Sequence, residues 1–235
     1  MSLAFGILTC ISSQRLFGVE TIDHTFERES RNYFHPFQYW LAKSLVDIIR
    51  LILYPLLFVS MLYIEIVPRG AFGYYFSVMM LLSFVCSGIG QLTSVIFNRT
   101  EYAYLAGTIV ALLSCLLSGF SPTKSELGRG DFIVTLSFSR HVQNLLFRYE
   151  TSLYVQPIGT GPHIWSASVE ELRFYYSFSD SENPYLCLLL IGFILRGLTF
   201  VFLYAKSEYR SQTRFRVTHI GPTMKSLICC KTCRQ

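Results

Sequence analysis

Phe72–Phe97 reads FGYYFSVMMLLSFVCSGIGQLTSVIF, a run without a single Asp, Glu, Lys or Arg. Wound as an α-helix at about 1.5 Å per residue it reaches about 39 Å, more than the ~30 Å of hydrocarbon in a bilayer. Three further stretches are predominantly apolar over about the same length: Ile48–Ile66, Tyr102–Phe120 and Pro184–Ala205. The expected fold class is therefore all-α, a polytopic transmembrane helical bundle of four complete spans. Composition agrees, since 51% of residues are hydrophobic and only 15% charged, against about a quarter charged in soluble domains. The intervening segments are too short for a soluble catalytic domain, which leaves the spans, their loops or a partner to carry function.

The net charge of +5 is read by position. Lys206, Arg210, Arg214, Arg216, Lys225, Lys231 and Arg234 gather after the last span, and basic residues flanking a span mark its cytoplasmic side. They indicate orientation in a membrane, not nucleic acid. Alternation then places Val67–Ala71 outside, Asn98–Glu101 inside, Ser121–Asn183 outside and Gln14–Lys43 inside. The Asn98-Arg99-Thr100 sequon falls in the cytosol, where no glycan is added. No cysteine lies in the exterior segment, so no exterior disulfide is available. Leu3–Ile11 is too short to span and has no preceding basic residues of the kind a secretory signal carries. It reads as the end of a span that begins upstream, with Met1 an artificial or internal start; the alternative is a buried or interfacial N-terminal helix.

Within the spans, Pro55 predicts a kink, because its ring removes one backbone bond and crowds the preceding turn. Glu65 is read as solvated at a helix end, and Pro68 with Gly70 as closing a tight exterior turn. Small residues recur four apart at Gly73 and Ser77, Ser83 and Ser87, and Gly90 and Ser94. Ala103, Gly107, Ala111, Cys115 and Gly119 form an unbroken ridge at the same spacing. Apolar lipid gives helices no hydrophobic reason to associate, so such ridges mark helix interfaces. Thr100 and Glu101 suit a helix start. Arg196 lies about ten residues, or ~15 Å, from the end of its span, where an arginine is costly unless paired or hydrated. Asp47 and Glu101 are its candidate partners, and either a structural ion pair or a polar transport path follows. In the exterior segment, Phe132–Tyr149 is amphipathic: Phe132, Ile133, Leu136, Val142, Leu145 and Leu146 share a stripe, and Arg140, Gln143, Asn144 and Arg148 are expected to face water. An interfacial or re-entrant helix is predicted there.

Several chemistries lack their residues. No lysine follows a glycine, which excludes the G-x-x-x-x-G-K-[ST] phosphate loop. His35, His141 and His163 lack metal-site spacing, and His24 and His219 sit in polar segments, so no metal site is expected. There is no G-x-S-x-G elbow. Cys229, Cys230 and Cys233 in the basic tail are candidates for S-acylation, against a reduced, disordered tail; for a zinc site they lack an obvious fourth ligand, His219 being the conceivable one.

The approach to the first full span reads Glu27-Arg28-Glu29-Ser30, Tyr33-Phe34 and Tyr39-Trp40-Leu41-Ala42-Lys43-Ser44-Leu45-Val46-Asp47. It resembles the stretch before the third span of G-subfamily, or white-type, ABC transporters. Tyr54-Pro55-Leu56, Ser60-Met61-Leu62-Tyr63, Pro68-Arg69-Gly70-Ala71-Phe72, Leu136–Arg140 and Leu189–Gly197 resemble a branch of that subfamily common in plants and protists. The resemblance implies the C-terminal part of a membrane domain. Residues 1–12 would end a truncated span, 13–47 form a cytoplasmic coupling loop, 48–120 three spans, 121–183 an exterior loop, 184–205 the last span and 206–235 a basic cytoplasmic tail. Glu27, Arg28 and Glu29 would transmit movement from an ATPase domain. The chain itself would hold no cofactor and catalyse nothing, with ATP and Mg on a nucleotide-binding domain missing from it. Its partners would be membrane lipid, that domain, and a second half-transporter in a homo- or heterodimer, in the plasma membrane or an organelle. The implied function is export of lipophilic substrates by ATP-driven alternating access. The competing readings are a passive channel, a multi-span lipid enzyme, and a non-transporting remnant that pairs with full transporters.

Overall fold

In hydrocarbon no water satisfies backbone N–H and C=O groups, so apolar runs of this length fold as helices whose backbone bonds are internal. The computed structural model describes residues 2–22, 36–97, 99–117, 137–155 and 183–219; among these, the side chains at 2, 3, 18–22, 36, 100, 115, 154, 155 and 207–219 are not described. The described residues form six helices and no strand: α1 (Ser2–Ile22), α2 (Pro36–Ile66), α3 (Phe72–Ile96), α4 (Thr100–Leu116), α5 (Phe138–Val155) and α6 (Pro184–His219). Three helices are long and apolar enough to cross a membrane, over Phe37–Ile66, Phe72–Ile96 and Pro184–Lys206; α4 contributes a shorter apolar helix.

α3 is the axis of the bundle, packed against every other helix. Within its apolar window 72% is buried inside the protein, against 22% for α2 and 28% for α6. Its Val78, Met79, Leu82, Val85, Cys86 and Ile89 meet Phe5 of α1, Val59 of α2, Val142 and Leu145 of α5, and Leu188 of α6. The surface is apolar instead: Ile49, Leu57, Met61 and Ile64 of α2, Leu105 and Leu116 of α4, and Phe193, Ile194 and Val201 of α6 are exposed. Buried polar groups beneath an apolar exterior are what a lipid solvent selects.

Two ends are distinguishable. At one, the turn from α2 to α3 is tied to α5: Tyr63 donates to the Gly70 carbonyl, the Ala71 N–H donates to the Tyr149 hydroxyl (2.6 Å), and Tyr75 donates to Glu150. Tyr74 stacks on Tyr149, with centroids 3.8 Å apart. Gly70 is required there, because a Cβ would collide with Tyr149 and Tyr75. Val67 opens this turn in the left-handed region at φ 48°, a conformation a β-branched residue rarely takes. At the other end, Lys206 donates to the Val95 carbonyl (3.1 Å), capping the last turn of α3 where a cation suits the negative end of the helix.

Several element boundaries differ from the sequence expectation. α1 does not stop at Ile11 but continues to Ile22, and its Gln14 is buried against α3 and α4, not in a cytoplasmic loop. α2 begins at Pro36, twelve residues before Ile48, and runs unbroken through Pro55. α6 continues past Lys206 to His219. In α5, Arg140 and Asn144 are buried instead of facing water. The amphipathic pattern misleads there because α6, α3, α4 and α1 all contact the helix, which leaves more than one face covered. The stripe residues Phe132, Ile133 and Leu136 lie outside the described residues.

Candidate functional site

Charge inside this bundle collects where α1, α2, α3 and α6 meet. Asp47 is fully buried, about 16 Å into α2 from Pro36 at the helical rise. Its Oδ2 accepts from Arg196 Nη2 of α6 (3.2 Å) and from Gln91 Nε2 of α3 (2.8 Å), and its Oδ1 accepts from Arg50 Nη2 one turn on (3.0 Å). Arg196 also donates to Ser87 Oγ (2.7 Å) and lies over the ring of Phe84, 4.5 Å from its centroid. Gly192 makes room for that ring, since a Cβ there would strike Phe84. Arg50 reaches α1 by donating to the Ser12 carbonyl (3.1 Å), and the Ser12 and Tyr54 hydroxyls share a hydrogen bond (2.8 Å).

A second polar node lies on the same side. Gln14 Nε2 donates to the Ala103 carbonyl of α4 (2.9 Å) and to Thr93 Oγ1 of α3 (3.2 Å). Small residues let α1 come this close. A Cβ on Gly90 would overlap the Cys10 carbonyl, and one on Gly107 would overlap Gln14.

One carboxylate thus serves two guanidinium groups, and the cluster carries a net positive charge. Asp47 and Arg196 are almost wholly enclosed, whereas Arg50 keeps a quarter of its side chain exposed. Gln91 Oε1, Arg196 Nε and Gln14 Oε1 are buried with no hydrogen-bond partner among the described residues. A polar network only partly satisfied in low dielectric is costly.

The structure thus brings Arg196 and Asp47 together but leaves Glu101 apart: it is exposed in the first turn of α4, outside the bundle interior. In the α4 ridge, Ala103, Gly107 and Ala111 are buried; the Cys115 side chain and Gly119 lie outside the described residues, as do Glu27, Arg28, Glu29, Cys229, Cys230 and Cys233. Sequence reasoning missed Arg50, Gln91, Ser12, Tyr54 and Gln14 as members of this cluster, and read Ser87 only as a small residue. One signal was present, for Gln91 is the lone amide side chain between Phe72 and Phe97. Among the described residues no group of acidic, histidine and cysteine side chains could hold a metal ion.

Comparison with known proteins gives a family. The family model described as ABC-2 type transporter matches residues 1–148, which takes in α1 to α4 and most of α5. No curated protein matches the chain.

Proposed function

The chain belongs to the ABC-2 type transporter family, and from that premise we propose that it forms the membrane part of a G-type exporter for lipophilic substrates, driven by a nucleotide-binding domain. It is an integral, multi-pass membrane protein and a transport component. In this reading α4 is a fourth span, two such membrane halves pair as a dimer, and ATP binding and hydrolysis switch the cavity between the two sides of the membrane.

The observation that carries the proposal is the shared carboxylate of Asp47. It sits on α2, the helix that follows the Glu27–Glu29 segment, and it holds α3 and α6 through Gln91 and Arg196. Movement delivered to the start of α2 by an ATPase domain passes to two further helices through these bonds. The orphaned Gln91 Oε1 and Arg196 Nε are the groups that find new partners when the helices shift. Asp47 and Arg196 are therefore coupling residues, not substrate contacts.

The test is Asp47→Asn in the complete transporter, reconstituted with its ATPase domain in liposomes. The amide keeps the size and loses the charge. Coupling predicts that ATP hydrolysis continues while ATP-driven transport falls about tenfold or more in the protein that folds, which is less stable than the parent by about 3–5 kcal/mol because two guanidinium groups lose their counter-charge. Parallel loss of hydrolysis, transport and folding would assign the pair to structure alone. Flux that ignores ATP in the parent protein would favour the passive channel.

A further inference from the structure

We propose that Tyr149 and Glu150 of α5 form a latch across the turn between α2 and α3, loaded by backbone strain at Val67, and that this end of the bundle opens as a unit when the latch lets go. The load is local. Val67 holds φ 48°, the left-handed region in which Cβ crowds the following carbonyl oxygen. Its side chain is 75% exposed, so burial of Val67 itself does not keep it there. Such a conformation persists only where the surroundings over-determine it, and it collects at switch regions.

The surroundings here are α5 and its tyrosine partners. The Gly70 carbonyl accepts from Tyr63, and the Ala71 N–H donates to the Tyr149 hydroxyl at 2.6 Å. Tyr75 donates to Glu150, and Tyr74 to the Leu145 carbonyl at 2.9 Å, so α5 grips both the turn and the start of α3. The Tyr149 ring stacks on Tyr74 and meets Tyr75 edge-on at 5.7 Å, while Tyr74 meets Tyr185 of α6 edge-on at 6.5 Å. Through these rings α2, α3, α5 and α6 are fastened together. α2 is fastened a second time at Asp47, and Pro55 lies eight residues from Asp47 and eight from Tyr63. Proline has no N–H to give the carbonyl one turn back, so α2 is weakest midway between its two attachments. Opening at the latch therefore bends α2 at Pro55 and leaves Asp47 in place. The inference goes beyond the transport reading, and its test needs neither ATP nor a substrate.

The experiment is hydrogen–deuterium exchange mass spectrometry of the full chain in lipid nanodiscs. Tyr149→Phe keeps the ring and removes the acceptor of Ala71. It is expected to speed exchange across residues 63–75 together by roughly three- to tenfold, the effect of one hydrogen bond on a local opening, with residues 44–51 and 87–94 unchanged. Glu150→Ala should act in the same direction. Val67→Asn, which places a residue that tolerates the left-handed region, should slow the same opening by about fivefold and return the Tyr149→Phe variant toward the parent rate. Faster exchange at Ala71 alone overturns the latch, because a single bond would then have been lost without any wider opening. Faster exchange throughout the chain overturns it too, since Tyr149 would then support the fold in general. If Val67→Asn leaves the rates unchanged, the turn carries no load and the proposal fails.

Discussion

Asp47 is the residue on which the interior depends, and the arithmetic of its partners makes an asymmetric prediction. Removing Arg196 leaves Asp47 with Arg50 and Gln91, whereas removing Asp47 strands two guanidinium groups. Breaking a buried pair from one side costs about 3–5 kcal/mol in soluble proteins, because an uncompensated charge remains. Arg196→Leu is therefore expected near or below the low end of that range, and Asp47→Leu at or above the high end, measured by thermal unfolding in detergent or nanodiscs. The reverse order would mean that Arg50 and Gln91 do not support the carboxylate. Of this cluster, Arg196 was legible in the sequence, since a lone cation deep in an apolar run must be answered by something. Its choice between Asp47 and Glu101 depends on how far each helix extends and how it is rotated, which composition does not carry. Gln91 and Ser87 became partners only once α3 was placed against α2 and α6.

Glycine spacing, in contrast, was legible at the element scale as a tendency but not as an assignment. Gly73 and Gly90 begin two similar small-residue pairs in α3. A Cβ on Gly73 would meet nothing within 4 Å, whereas one on Gly90 would overlap the Cys10 carbonyl. Backbone cannot swing aside as the end of a side chain can, so α1 must shift. Gly90→Ala is expected to destabilise by about 1–3 kcal/mol, the usual range for overpacking. Gly73→Ala should be neutral, or stabilising by up to about 1 kcal/mol from helix propensity. Comparison of the two variants by chemical denaturation checks this, and equal effects would remove the claimed α1–α3 contact. The close approach of α6 to α3, with Gly88 against Leu195 and Gly192 against Phe84, escaped the four-residue rule because each glycine faces a large side chain rather than another small one. α5 escaped it differently. Its polar residues look solvent-facing in projection, yet the tyrosines at the α2–α3 turn hold it against the bundle.

At the scale of the whole molecule, the lipid setting was the most readable property, because it needs only runs of apolar residues and no knowledge of their neighbours. The extent of α1 was the least readable: Gln14 and Arg15 interrupt the apolar pattern, and only the partners of Gln14 on α3 and α4 show why a polar residue belongs inside. The expected orientation rests on the basic run that begins at Lys206. An N-glycosylation site engineered into residues 121–183 of the chain, made in microsomes, is expected to gain a glycan, while Asn98 stays bare. An endoglycosidase gel shift reads both, and a glycan on Asn98 would invert the orientation.

The most direct test of the account is ATP-dependent movement of a panel of lipophilic fluorescent compounds across liposomes that hold this chain together with its nucleotide-binding domain. The account predicts accumulation of at least one compound that requires ATP, stops with vanadate and is lost in Asp47→Asn. Flux or conductance of the same size with and without ATP would contradict it.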